Sequence, residues 1–81
     1  MVEVFKTNVR KRVDANRLVN QIHKSFMTYK ANFDLHDCDN ILRVQCTTGE
    51  VQSSGLIEFL RSLGFHAETL PDEGNLLIQQ N

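Results

Sequence analysis

Tryptophan is missing from this chain, proline occurs once, glycine four times and cysteine twice. Four scattered glycines supply no phosphate-cradling loop, which needs glycines at close fixed spacing so that backbone amides can reach the ligand. Two cysteines, Cys38 and Cys46, are too few for the disulfide framework that staples small secreted domains. With no secretory leader in MVEVFKTNV, they read as free thiols in a reducing compartment, and a cytoplasmic location is the expectation. An excess of one charge is also lacking: 9 Lys and Arg face 10 Asp and Glu, for a net charge of −1. Nonspecific nucleic-acid or lipid binding needs many unopposed cations, so no broad pull toward either is expected. No apolar run approaches the ~20 residues of a membrane-spanning helix.

What is present is the pattern of one small globular domain, spanning residues 1–70, with 71–81 as a tail that forms an extra strand or frays. A chain of 81 residues buries only roughly 60–65% of the surface its unfolded form exposes, so its stability is modest. Val2 to Val9 is rich in β-formers, with Phe5, Thr7 and Val9 assigned inward. From Asp14, taken as the N-cap, the period becomes helical: Ala15, Leu18, Val19, Ile22 and Phe26 share one face. Tyr29 to Leu35 alternates as a half-buried strand, HDCDN at 36–40 is a turn, and Ile41 to Thr47 returns with Leu42, Val44 and Cys46 on one side. Ser53 or Ser54 would cap a second helix with Leu56, Ile57, Leu60 and Leu63 buried. Gly64 ends it, and residues 65–70 form a last strand. This βαββαβ order is that of an α+β ferredoxin-like sandwich, two helices on one face of a four-stranded antiparallel sheet.

In that order the chain resembles the heavy-metal-associated domain family of small copper chaperones and metal-ATPase modules. The likeness lies in a first strand ending at Val9, a helix with Leu18 and Ile22 inward, and the stretches NFDLHDCDNILRV and SSGLIEFLRSLGFHAE. The resemblance implies the ferredoxin-like fold. It would also imply a thiolate metal site, because the family binds soft ions through M-x-C-x-x-C in its first loop. Here Val9 stands at the methionine position, and Lys11 and Asp14 stand where the cysteines belong. A protonated amine flanked by Arg10 and Arg12 repels a cation, so this loop is not a copper site of the family type and no cofactor is expected there.

Other residues remain as candidates. Arg10, Lys11, Arg12 and Arg17 lie around a helix start, where amides and guanidinium groups suit an anion or an acidic partner, the alternative being a solvated loop. His36 and Cys38 form an H-x-C pair that suits Zn(II) or Cu(I), whereas the acids around them belong to the turn for backbone reasons alone. Cys46 reads as a small core residue. His66 begins the last strand, and His23, opposite the apolar stripe, reads as solvated. No nucleophile has a base and an orienting group within a recognisable arrangement, so an enzyme is not expected. Ile41, Arg43 and Gln45 on the outward side of the third strand include no aromatic, so base stacking on RNA is not expected either. The leading expectation is a noncatalytic module that binds a protein partner or itself, with Val2, Val4 and Ile41 as the apolar part of an open-face dimer interface and Val4 and Ile41 as its test positions. The alternative is a metal protein built on His36 and Cys38.

Overall fold

The computed structural model describes residues 1–36 and 38–70. It contains β1 (Val2–Thr7), α1 (Arg12–Ser25), β2 (Tyr29–Asp34), β3 (Ile41–Cys46), α2 (Ser53–Ser62) and β4 (Ala67–Thr69). The strands form one sheet in the order β2-β3-β1-β4, every neighbouring pair antiparallel. The molecule is therefore α+β, two helices with a four-stranded antiparallel sheet, compatible with a ferredoxin-like sandwich. The tail at 71–81, expected as a strand or frayed, lies outside the described residues.

Strand alternation decides which face is covered. Phe5 and Thr7 of β1, Tyr29 and Phe33 of β2, and Leu42, Val44 and Cys46 of β3 are buried, while Lys6, Lys30, Asn32, Asp34, Arg43 and Gln45 are exposed. Ala15, Leu18 and Ile22 of α1 join Leu56 and Leu60 of α2 in the same core cluster as those strand residues, so both helices cover one face. Each fully buried Leu, Ile or Phe side chain contributes about 1.5–3 kcal/mol. Phe26 extends this core with a stacked contact to Tyr29 at 5.0 Å and an edge contact to Phe59 at 5.4 Å. The Tyr29 hydroxyl accepts a 2.7 Å hydrogen bond from the Gln52 amide, which ties the start of α2 to the sheet.

Several boundaries differ from the sequence expectation. α1 begins at Arg12 with Lys11 as N-cap, because the Lys11 carbonyl already accepts from the Ala15 amide at 3.0 Å; Asp14 lies in the first turn instead, where its charge suits the helix dipole. α2 is capped by Gln52 rather than Ser53 or Ser54, its carbonyl accepting from Leu56 at 3.0 Å. Leu63, expected in the buried stripe, is 41% exposed because it is the C-cap residue, past the last helical turn; Phe59 and Phe65 pack against the core there instead. Gly64 takes the left-handed conformation, φ 93°, as its position after the helix requires.

Candidate interaction surface

The antiparallel order carries three loops to one end of the sheet. β1 leaves at Thr7, the β2–β3 turn closes at Asn40, and the chain reaches β4 through His66. Thr7 is the joint between them. Its hydroxyl donates to the Asn40 carbonyl at 2.6 Å and accepts from the Val9 amide at 3.2 Å, and its own amide donates to the Asp39 carbonyl at 3.2 Å. Asn8 fastens the third loop: its amide donates to the His66 carbonyl at 3.2 Å, and its Oδ1 accepts from the His66 amide at 2.9 Å. Asn40 turns the chain with φ 50°, a left-handed conformation that asparagine tolerates better than most residues.

The structure therefore brings the basic loop, the His36–Cys38 turn and His66 to the same end. Arg10, Lys11, Arg12 and Arg17 are all exposed, and none forms an ion pair among the described residues. Val9, just before the basic run, is fully buried. His36 and Cys38 are exposed; the His36 amide donates to Asp34 Oδ1 at 3.2 Å, a turn contact that leaves its ring uncommitted. His66 Nε2 sits 3.5 Å from Glu68 Oε2 with both side chains largely in solvent. Among the described residues no group of three or more His, Cys, Asp or Glu is placed to share a metal ion. Cys46 cannot join Cys38, since it closes β3 at the opposite end of the sheet, five strand steps from Ile41 or roughly 17 Å at ~3.3 Å per step.

Cys46 has chemistry of its own. It is 6% exposed, and its thiol is lowered from 9.0 to about 7, chiefly by a hydrogen bond from the Thr48 amide and then by the Thr28 hydroxyl, against the upward push of burial. The Thr28 and Thr48 hydroxyls lie 3.6 and 3.7 Å from its sulfur.

The face of the sheet opposite the helices carries Val2, Val4 and Lys6 from β1, Lys30, Asn32 and Asp34 from β2, and Ile41, Arg43 and Gln45 from β3. Its apolar content is smaller than the sequence suggests. Val2 is 52% exposed and Val4 half-buried, but Ile41 is only 7% exposed, flanked in register by Lys6 and Asp34, and so has little surface left for a partner. Lys30 pairs in register with Gln45, and Asn32 with Arg43; with Val2 and Ala31 they line a shallow cleft of about 200 Å³ that contains no carboxylate. The strand aromatics Phe5, Tyr29 and Phe33 are all buried on the core side.

One contact escapes any reading of periodicity. His23 is exposed, as expected, but its Nε2 accepts a 3.0 Å hydrogen bond from the Ala31 amide, on the outer side of the edge strand β2. Nothing in the helical pattern distinguishes His23 from its solvated neighbours; only the strand order reveals that Ala31 needs a partner. No family model matches the chain, and no curated protein or solved structure does. Among the described residues no helix is long and apolar enough to cross a membrane.

Proposed function

We propose that this chain is a noncatalytic interaction module of ferredoxin-like βαββαβ fold, acting in the cytoplasm on a protein partner or a second copy of itself. In this reading the scaffold resembles the heavy-metal-associated domains but has Lys11 and Asp14 in place of their thiolates. The observation that carries it is the asymmetry of the sheet. Both helices lie on one face, while among the described residues no helix covers the other face and no strand pairs with the outer side of β2. Such a surface offers main-chain pairing at an edge and side-chain pairing on a face. The cleft formed by Lys30, Asn32, Arg43 and Gln45 adds a cationic, amide-rich patch suited to acidic groups on the partner.

A photo-crosslinker at Gln45 should capture a polypeptide, whether a second copy or another protein, and Arg43→Glu should reduce capture several-fold. Elemental analysis of the purified protein provides the opposing outcome. Stoichiometric zinc or copper that disappears in Cys38→Ser would replace this reading with a metal protein built on His36 and Cys38.

A further inference from the structure

We propose that β2 is a self-docking edge, pairing antiparallel with β2 of a second copy about a two-fold axis at Asn32, and that His23 restrains this pairing in each copy. The inference rests on the interaction-module reading and names its partner. Among the described residues β2 ends the sheet on one side. The Thr47 amide donates to the Thr28 carbonyl, so even-numbered residues of this segment direct their backbone groups toward β3 and odd-numbered ones direct theirs outward. The contacts agree with that parity. The Tyr29 amide donates to the Phe26 carbonyl at 3.0 Å and the Ala31 amide to His23 Nε2, both away from β3. The edge is thus available from Ala31 to Phe33 once His23 yields. The other edge among the described residues, β4, is only three residues long, a poor template for addition.

Charge selects the occupant and the register. Outward backbone groups of two antiparallel copies align only when the two-fold passes through a residue rather than between residues. Centring on Lys30 or on Asp34 sets like charges opposite each other. Centring on Ala31 faces Lys30 with Asn32, and centring on Phe33 faces Asp34 with Asn32, leaving charges without a counter-ion. Centring on Asn32 sets Lys30 opposite Asp34 of the second copy twice, on the exposed face, and sets Ala31 beside Phe33 of the second copy twice, small against large, on the core face. The strand is its own complement in that register alone. His23 opposes the pairing because its imidazole nitrogen holds the amide that the carbonyl of the second copy's Phe33 must take. Edge strands left wholly bare invite aggregation, and a removable side-chain acceptor is one way to hold such an edge in check.

Sedimentation equilibrium of the full chain tests this. His23→Ala should dimerise on the order of tenfold more tightly than the unaltered protein, since a competing hydrogen bond is lost from both copies. In that background Lys30→Asp and Asp34→Lys should each weaken the dimer about tenfold, and the two together should restore it. Circular dichroism confirms that each exposed substitution leaves the monomer folded, and exchange of the Phe33 amide should slow as protein concentration rises. A His23→Ala protein that stays monomeric at millimolar concentration overturns the proposal, as does a dimer indifferent to the single charge changes. Either failure is distinguishable from failure of the interaction-module reading, because a Gln45 crosslink to a protein other than a second copy does not require β2 pairing.

Discussion

A thiol almost closed off from solvent ordinarily ionises less readily than a free one, yet Cys46 moves in the other direction. Hydrogen bonds donated by the Thr48 amide and the Thr28 hydroxyl favour the thiolate and outweigh burial. The consequence for stability follows from the sign of the shift. A group whose folded pKa is depressed contributes stability that is complete above its unfolded value, here 9.0, and is lost as pH falls through about 7. In a Cys38→Ser background, thiolate ultraviolet absorbance should titrate with a midpoint near 7. The same protein should gain stability toward urea between pH 7 and 9, a gain that Cys46→Ala abolishes. Tyr29 makes a simpler case. Its hydroxyl accepts from Gln52 at 2.7 Å in a part-buried position, so Tyr29→Phe should cost about 1–2 kcal/mol, read from the urea midpoint, by leaving that amide without its partner.

At the scale of single elements, the two helices show what local pattern can and cannot determine. Lys11 caps α1 with φ −98° and ψ 136° but no side-chain hydrogen bond. Lys11→Asp, whose carboxylate can accept from the first-turn amides, should therefore stabilise the protein by about 0.5–2 kcal/mol, measured by thermal unfolding. Gly64→Ala should destabilise by about 1–2 kcal/mol, entirely through its left-handed backbone, because a methyl group there meets nothing within 4 Å. The apolar faces of α1 and of the strands were legible because Leu18, Ile22, Phe5, Phe33 and Leu42 recur at the helical or strand period. Helix starts were not. Asp14 and Ser53 have side chains that favour caps, but the chain path into α1 is set by Thr7 and Val9, and that into α2 by Tyr29, all through contacts between elements. Leu63 misled for a related reason, since its spacing belongs to the stripe while its position lies past the last helical turn.

For the molecule as a whole, the core is one contiguous cluster shared by both helices and all four strands. Leu60→Ala, at a fully buried site of α2, should cost about 2–5 kcal/mol and lower the thermal midpoint by on the order of 10 °C or more. Strand order is the level at which sequence was least informative about the candidate surface. Alternation alone puts Lys30, Asn32 and Asp34 on one side of β2, but it does not reveal that β2 is an edge or that His23 reaches its Ala31 amide. Nor does it reveal that Ile41, outward by parity, lies in the narrow row between Lys6 and Asp34 and retains almost no exposure. The loop cluster was half legible: the basic run and the H-x-C turn were apparent, whereas their meeting at Thr7 depends on antiparallel pairing across the sheet.

The central place of β1 has a temporal consequence. This strand is translated before its neighbours, yet it is hydrogen-bonded to β3 on one side and to β4, at Ala67–Thr69, on the other. A ribosome-bound chain stopped short of residue 67 must leave Phe5 to Thr7 without their second neighbour. The nascent polypeptide then presents a sticky flank until β4 emerges, so completion of the sheet waits on a strand far downstream of β1 in the chain.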